Sequence, residues 1–425
     1  MKWNSVQIAT TCLRTRMRDP RRNPDTPFLY VDISAIDRSL KVITSTPEIL
    51  GVDAPSRARK EIREGDILVS TVRPNLNAIA VVPQHLDGQI ASTGFCVLRP
   101  NKSAIVGKYL FYFTTTPPFV GILSGKIRGA HYPAVSDSDV KEIELPLPTV
   151  SEQHRIVEIL DQADALRKRR AEADAKAARI LPALFYKMFG DPLALISSGE
   201  GIPLSELEVD MQNGFACGEK DVEYGVPHLR MNNIDDAGVL NLELVRTVPF
   251  DRDTERYRLM EKDVLFMGTN SEDKIGKTCL FLPPDERTYL FSNHLIRLRV
   301  SDSRITPEYL AGFLHLLWSK RFFPSIAKRW VNQSAVAQSS LAALRIPLPG
   351  ERSLQVFTTT FQNLLSLRAQ QVRSGETLDQ TFSVLLHRAF TGNLTAKWRE
   401  AHMKELLPEM EQQAKVLEAV GVKGI

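Results

Sequence analysis

Residues 143–148 read Ile-Glu-Leu-Pro-Leu-Pro, and residues 344–349 read Leu-Arg-Ile-Pro-Leu-Pro, 201 positions later. The same offset carries Leu166-Arg167 onto Leu367-Arg368. One short match could arise by chance, but several matches in the same order indicate a duplicated unit. Further matches lie upstream: Pro27–Leu29 with Pro227–Leu229, Glu64–Leu68 with Glu261–Leu265, Ser92–Arg99 with Ser292–Arg299, and Lys108–Leu110 with Glu308–Leu310.

The two units share one internal plan. Each opens with a mixed stretch in which β-branched and aromatic runs, such as residues 66–70 and 263–267, are broken by Pro, Gly and Asn and predict short strands. A helix follows in each unit, over residues 109–115 and 309–320. The Pro-Leu-Pro segment then ends the mixed region, because proline cannot continue a helix and extends its predecessor.

A long helix is predicted after each Pro-Leu-Pro segment. In the first, Ser151 supplies an N-cap and Glu152 an early acid. Pro182 should kink this helix or start a new one, and Gly190-Asp191-Pro192 should stop it. Gly392 ends the second. Apolar residues fall at gaps typical of a coiled coil, at Ile156, Ile159, Ala163, Leu166, Ala173, Ala177, Ile180 and Leu184, and again at Leu354, Phe357, Phe361, Leu364 and Leu367.

An amphipathic helix of this length cannot bury its apolar stripe alone, and two copies offer each other a matching stripe. The sequence therefore predicts an α+β fold, with two mixed α/β domains separated by a pair of long antiparallel helices in a pseudo-two-fold repeat. The alternative is that each helix packs on its own domain. The predicted parts are a first domain at 1–150, a spacer helix at 151–195, a second domain at 196–350, and a distal helix with a helical tail at 351–425.

Composition fits a soluble globular protein. The 425 residues are 43% hydrophobic and 24% charged, with a net charge of +4, which permits nucleic-acid binding without demanding it. No run of about 18 apolar residues occurs, and the first residues are not followed by an apolar stretch, so we expect no membrane span and no secretory signal. The four cysteines are scattered and form no CxxC pair, so we expect neither a zinc ribbon nor a disulfide scaffold, and a cytoplasmic location.

Residues 145–192 also resemble a known family. Leu-Pro-Leu-Pro at 145–148, Glu152-Gln153, Ala163–Leu166 and Met188–Pro192 look like the central conserved region of specificity subunits of type I restriction–modification systems. Residues 387–399, HRAFTGNLTAKWR, resemble the end of the distal conserved region. The second copy departs from the family pattern at residues 350–353, which read Gly-Glu-Arg-Ser instead of the Glu-Gln-Arg-type sequence of the first copy. The tail at 400–425 has no clear counterpart in the family.

The resemblance implies a function. The two mixed domains would be target-recognition domains, each for one half of a split, asymmetric DNA site. The helices would separate them and dock two adenine methyltransferase subunits, which restriction subunits would join. The chain itself would carry no catalysis, metal or cofactor. S-adenosylmethionine, ATP and Mg would bind to the partner subunits.

The motifs agree with this absence of catalysis. The pairs Pro117-Pro118 and Pro283-Pro284 lack the leading Asn or Asp of an adenine methyltransferase motif. Residues 271–278 approach a P-loop, but Ser271 replaces its first glycine and residues 278–282 predict a strand where a helix is required. Asp66 and Asp263 recur in both units, and we interpret them as structural acids at strand starts. The alternatives are a stand-alone DNA-processing enzyme with unrecognised catalytic carboxylates and a purely structural coiled-coil scaffold.

Candidate DNA-binding residues lie on loops that recur in both units and mix basic, amide and aromatic side chains. One loop follows the strand at Asp66 or Asp263, one precedes each Pro-Leu-Pro segment, and one follows the Pro227 strand. The basic run at residues 167–170 is interpreted as a solvated helix face, with phosphate contact or subunit docking as alternatives. The loop candidates are Arg73, Asn75, Lys126, Arg128, His131, Tyr132, Arg230, Asn232, Asn233, Thr269, Asn270, Lys274, Lys328, Arg329, Asn332, Gln333 and Ser334.

Overall fold

The computed structural model describes residues 3–128, 133–218, 221–242, 244–251, 253–331 and 333–421. The chain forms two compact units, Met1–Arg170 with Ser374–Ile425 and Ala171–Arg373. The division falls inside two long helices, so each unit combines one mixed domain with part of both helices. The four-part division predicted from the sequence, with its bounds at 150, 195 and 350, stays a prediction.

The first mixed domain is built mainly of short strands, with three helices near its end. Its strands are β1 (Asn4–Gln7), β2 (Cys12–Leu13), β3 (Pro27–Val31), β4 (Ile36–Asp37), β5 (Val42–Ile43), β6 (Glu48–Leu50), β7 (Ala58–Glu61), β8 (Ile67–Ser70), β9 (Ile79–Val81), β10 (Ile90–Ser92), β11 (Phe95–Pro100) and β12 (Glu144–Leu147). Its helices are α1 (Gly107–Thr114), α2 (Pro117–Gly125) and α3 (Asp137–Lys141).

Three further helices follow along the chain, α4 (Val150–Ala177), α5 (Ile180–Phe189) and α6 (Pro192–Ser197). The second mixed domain then contains β13 (Ile202–Pro203), β14 (Val209–Asn213), β15 (Val226–Leu229), β16 (Arg246–Val248), β17 (Val264–Met267), β18 (Thr269–Asn270), β19 (Thr278–Leu280), β20 (Leu290–Phe291), β21 (Leu295–Val300), α7 (Pro307–Ser319), β22 (Lys328–Trp330), β23 (Gln333–Ala335), α8 (Gln338–Ala342) and β24 (Arg345–Ile346). The helices α9 (Glu351–Phe390), α10 (Ala396–Ala401) and α11 (Met403–Gly421) complete the chain.

The two domains repeat the same sheets. The order β2-β11-β8-β9 in the first domain corresponds to β14-β21-β17-β19 in the second. A second sheet contains one parallel pair in each domain, β3 with β10 and β15 with β20. In both, the strand at the start of the Pro-Leu-Pro segment pairs with the first strand of its domain, β12 with β1 and β24, which ends just before Pro347, with β13. The duplicated plan predicted from the sequence is confirmed.

The long helices contact each other within each unit. In the first unit, Leu386 and Ala389 of α9 join the core cluster of Ile156 and Leu160 of α4. Further along, Arg167 contacts Asp379, which lies earlier in α9, so the two helices run antiparallel. In the second unit, Phe185 of α5 packs edge-on against Phe357 of α9, with ring centroids 5.5 Å apart. The antiparallel direction is thus confirmed in the first unit, and the helices also contact each other in the second.

Three details of the predicted helices differ in the structure. The first helix begins at Val150, and the Thr149 hydroxyl, not Ser151, accepts the hydrogen bond from the Glu152 N–H at 3.4 Å. It ends at Ala177, and α5 begins before Pro182, as one of the two predicted outcomes. Leu166 and Ile180 were expected in the apolar stripe but are 53% and 48% exposed. A straight helix of 3.6 residues per turn drifts away from a seven-residue repeat, which moves these positions off the contact.

Candidate DNA interface

Two predicted loops of the first domain meet in the structure. The Arg73 N–H donates to the Pro133 carbonyl at 2.8 Å, and Val72 and Arg128 both pair with Ala134. Arg73 adopts a left-handed conformation, with φ 48°, just before Pro74, and its side chain is exposed. The loop after β8 and the segment before Pro-Leu-Pro therefore form one surface.

Charge on this surface is partly balanced. The Arg128 side chain is 79% exposed and lies 3.5 Å from Asp139, which is also 3.9 Å from the Lys126 Nζ. Hydrogen bonds from Ser136 hold the pKa of Asp139 below its ordinary value, so this acid stays ionised. Both cations remain reachable from solvent, whereas His131 and Tyr132 lie outside the described residues.

The equivalent loops of the second domain form a three-stranded sheet in the order β18-β23-β22. Thr269 and Asn270 pair with Ala335 and Ser334, and Lys328, Arg329 and Trp330 pair with Ala335, Ser334 and Gln333. The sheet thus brings together six residues that the sequence placed on separate loops: Thr269, Asn270, Lys328, Arg329, Gln333 and Ser334. Asn332 lies outside the described residues, and exposed Lys274 follows the β18 strand.

This small sheet has two different faces, because successive side chains of a strand point to opposite sides. The Asn270 amide lies 3.0 Å from the Met267 sulfur, and Ser334 is buried, so their face turns toward the body of the domain. Lys328, Trp330 and Gln333 share the other face, and all three are exposed. The outward face therefore carries a cation, an aromatic ring and an amide.

The third predicted set, Arg230, Asn232 and Asn233, forms the turn after β15, which belongs to a different sheet. Asn233 is fully buried. Its carboxamide oxygen accepts from the Arg230 N–H, and its NH₂ donates to the Asn241 carbonyl, both at 2.8 Å. Because both ends of this amide hold a turn, we leave Asn233 out of the candidate interface. Asn232 is exposed, and the Arg230 guanidinium donates to the Leu244 carbonyl at 3.1 Å.

The features that suggested enzymes have structural partners. Asp66 and Asp263 are each 1% exposed and bind an arginine of the adjacent strand, which agrees with their interpretation as structural acids. Residues 278–280 form a strand as predicted, and Lys277 of the P-loop-like segment pairs with Asp236 at 2.5 Å. All four cysteines are free. Among the described residues, no group of His, Cys, Asp and Glu could hold a metal ion.

A cleft of about 590 Å³ lies between the β4–β5 hairpin and α4 in the first unit. Its carboxylates are occupied, since Asp161 pairs with Lys108 at 2.6 Å and Asp164 pairs with Lys168 at 2.8 Å. Burial lowers the pKa of Lys41 in this cleft to about 8, and its ammonium group donates to the Asn77 carbonyl. The cleft thus holds ion pairs rather than a pair of free catalytic acids.

Comparisons with known proteins agree with this geometry. A family model, the type I restriction modification DNA specificity domain, matches residues 40–173. The putative MjaX specificity subunit of Methanocaldococcus jannaschii is 32% identical over 190 residues, 44% of this chain and 43% of that protein. The EcoKI specificity subunit of Escherichia coli K12 is 22% identical over 356 residues, 79% of this chain and 76% of that protein.

Solved structures give the same result over nearly the whole chain. A chain from a structural study of complex assembly and conformational transition in a type I restriction–modification system is 29% identical, with a TM-score of 0.52. The match covers 92% of this chain and 98% of that one. The chain belongs to the family of type I restriction–modification specificity subunits. The family and the fold class predicted from the sequence are confirmed.

In this specificity subunit, the family-like Glu152-Gln153 pair has an internal role that the sequence did not reveal. Glu152 is 2% exposed and accepts hydrogen bonds from Trp3, Thr395 and Arg399. The Gln153 oxygen accepts from the Val106 N–H at 2.8 Å, and its NH₂ donates to the Pro148 carbonyl at 2.9 Å. The available signal for this pairing was that Glu152 and Arg399 lie in the two segments that resemble conserved regions of the family.

The basic run of this specificity subunit is divided between two surroundings. Arg167 binds Asp379 at 2.5 Å, and its guanidinium carbon lies 4.5 Å from the centre of the Phe382 ring. Lys168 pairs with Asp164, and Arg170 donates to the Ser374 hydroxyl at 3.2 Å. Part of the run thus serves helix pairing instead of forming only a solvated face. In the described part of the chain, no helix is both long and apolar enough to cross a bilayer.

Proposed function

We propose that this chain is the sequence-specific DNA-recognition subunit of a type I restriction–modification complex and reads a split, asymmetric site. Each domain supplies one surface for one half-site. In the first domain this surface contains Arg73, Asn75, Lys126 and Arg128, to which His131 and Tyr132 are added by sequence position. In the second domain it contains Thr269, Lys274, Lys328, Arg329 and Gln333, and Asn332 is added by position. Asn270 and Ser334 support it from the inner face of the small sheet, and Arg230 and Asn232, which follow β15, are kept as separate candidates.

One observation carries this proposal. The loop after the Asp66 or Asp263 strand meets the segment before Pro-Leu-Pro in both domains, at the same place in a repeated fold. The fold is conserved between the two domains, whereas the side chains on the two surfaces differ. A protein that reads two different half-sites with one scaffold requires this combination, because base edges are read by the side chains that reach them.

The partners follow from the family. Specificity subunits of type I systems work with methyltransferase subunits, restriction subunits and DNA. We propose that two adenine methyltransferase subunits dock on α4 and α9, and that the chain has no catalytic activity of its own. S-adenosylmethionine, ATP and Mg then belong to the partner subunits.

The test uses labelled duplex DNA, the full chain, and its methyltransferase subunit. We expect sequence-specific complexes, with adenine methylation only when the methyltransferase subunit is present. Cleavage or modification of DNA by the chain alone would contradict the proposal and favour a stand-alone enzyme. Equal affinity for all duplexes, or none, would favour a structural scaffold.

A further inference from the structure

The outward face of the β18-β23-β22 sheet carries an unusual exposed pair, Trp330 and Gln333. The two residues lie directly opposite each other on β22 and β23. Trp330 is 60% exposed, and the next residue, Val331, is 91% exposed. A large aromatic ring that stays in solvent leaves its apolar area unused, and such exposed aromatics mark binding surfaces.

The surroundings of this pair favour DNA as its occupant. Lys328 shares the face with Trp330, and Lys274 lies exposed beyond the neighbouring strand. Arg329 lies on the opposite face of the same strand, 3.1 Å from Glu272, so it does not crowd the ring. Because β18 pairs, among the described residues, only with Ser334 and Ala335, the sheet is two-stranded at Trp330 and Gln333. A two-stranded β-ribbon with cations at its sides fits the major groove, where the cations meet phosphates and the ribbon meets base edges.

The chemistry of the two side chains is specific. A glutamine amide can form two hydrogen bonds to N6 and N7 of adenine, and an apolar side chain can contact the C5-methyl group of thymine. Directly opposite residues of an antiparallel pair have Cβ atoms about 5 Å apart, and successive base pairs are stacked about 3.4 Å apart, so the two side chains span no more than two adjacent base pairs. One amide and one ring can therefore reach the two bases of one A·T pair or of adjacent pairs.

We infer that Gln333 and Trp330 together read an A·T pair in the half-site of the second domain, Gln333 through adenine N6 and N7 and Trp330 through the thymine methyl group. This inference rests on the proposed function and adds to it the identity of a base pair and of the two side chains that select it. Trp330 acts as a specificity residue, and Lys328 contributes phosphate contact without sequence preference.

The experiment deletes single groups from the DNA. The recognised sequence is first obtained by selection from random duplexes with the full chain and its methyltransferase subunit. Each thymine of the half-site bound by the second domain is then replaced by deoxyuridine, which lacks only the methyl group. Each adenine is replaced by 7-deazaadenine, which lacks only N7. Affinities are measured for wild type, Trp330→Ala and Gln333→Ala, with Tyr224→Ala as an exposed aromatic control outside the small sheet.

We expect one deoxyuridine position to weaken wild-type binding about fourfold, the value for one buried methyl group. The Trp330→Ala variant should lose this penalty and keep the 7-deazaadenine penalty. In wild type, 7-deazaadenine at one position should weaken binding at least about fivefold. The Gln333→Ala variant should lose this penalty and keep the deoxyuridine penalty. Tyr224→Ala should retain both penalties.

Other results would overturn the inference. Trp330→Ala could bind every duplex as wild type does, or lose affinity equally for thymine and uracil at every position. It could also weaken binding of the methyltransferase subunit while leaving DNA affinity intact, which would place the ring in a protein interface. If the wild-type complex selects no sequence from the random duplexes, the proposed function is wrong, and this inference is wrong with it.

Discussion

Asp66 accepts two hydrogen bonds from the Arg99 guanidinium, at 2.9 Å from Nε and 2.7 Å from Nη2. Arg299 holds Asp263 in the second domain in the same way, at 2.7 and 2.8 Å. Each acid also accepts a backbone N–H at 2.8 Å, from Arg63 or Met260, and so closes the turn before its strand. The pair is a repeated structural element of the fold.

Replacing Asp66 by Asn should therefore destabilise the first unit without removing any DNA chemistry. The change leaves Arg99 without its carboxylate, and breaking a buried pair in this way costs about 3 kcal/mol. Urea unfolding measures the loss. Asp53→Asn, at an exposed acid of the same domain, should change the free energy of unfolding little. An unchanged stability together with loss of DNA cleavage or modification would favour the enzyme alternative.

Much of the fold could be predicted because its signals are local. Pro-Leu-Pro, the acids at the strand starts and the glycine after α9 act within a few residues, and each recurs in both repeats. The position of Gly392, with φ 78°, follows directly from helix termination. The side of the helix that faces its partner was less predictable. Arg167 contacts α9 while Leu166 is largely exposed, because the choice depends on the exact phase of a helix over several turns.

The candidate site shows the same limit. Asn232 and Asn233 look alike in sequence, but only the structure shows that one amide is exposed and the other is bonded at both ends. Trp330 and Gln333 lie opposite each other in a local hairpin, but the face that they share is fixed by the pairing of β23 with β18, about sixty residues earlier in the chain. Strand register over such a separation is set by tertiary packing, so the sequence placed these residues on one loop but did not show which side chains face outward.

Arg128→Ala and Arg329→Ala should each weaken DNA binding. Both side chains are exposed on the proposed surfaces, at 79% and 62%. If each neutralises one phosphate, the slope of log affinity against log salt should fall by about 0.9 for each variant. Binding to the cognate duplex across a salt titration measures this change. Arg155→Ala, at an exposed arginine of α4 paired with Glu158, is the matched control.

Both variants could instead bind like wild type over the whole salt range. That result would remove these two arginines from the interface. A loss of sequence preference at one position, with the salt slope unchanged, would show that the affected arginine reads a base and not a phosphate.

Acid should destabilise the second unit through His315. Burial lowers the pKa of this histidine to about 4 from its ordinary 6.5, so the folded unit keeps it neutral while the unfolded chain takes up a proton. Stability is therefore complete above about pH 6.5 and falls as the pH drops toward 4, by an amount of the order of 3 kcal/mol. Buried His228, with its pKa also lowered to about 4 by burial, acts in the same direction.

Urea unfolding at about pH 7 and about pH 5 tests this dependence. His315→Phe should reduce the pH dependence by roughly half, since buried His228 remains. The variant also loses the hydrogen bond to the Thr278 backbone and is less stable at both pH values. His154→Gln, at an exposed histidine of the first unit, should leave the pH dependence unchanged. An equal pH dependence for wild type and His315→Phe would contradict the prediction.

Glu152 should couple both ends of the chain to the stability of the first unit. Its carboxylate accepts from Trp3 at 3.1 Å, from Thr395 at 2.6 Å and from Arg399 at 2.8 Å. Glu152→Ala leaves the buried Arg399 guanidinium unpaired and should cost about 3 kcal/mol. A truncation after Gly392 removes two of the three donors and should act on the same unit.

Hydrogen exchange resolves where the loss occurs. The amides of β1 and β12, which pair beside this cluster, should exchange faster in Glu152→Ala and in the truncated chain, while β14 and β21 of the second unit should keep their protection. Ser353→Ala changes the position 201 residues later, where the second repeat lacks the acid, and should leave both sets of strands protected. All three donors to the Glu152 carboxylate belong to the first unit. Faster exchange in β14 and β21 alone would therefore contradict the prediction that this carboxylate stabilises the first unit.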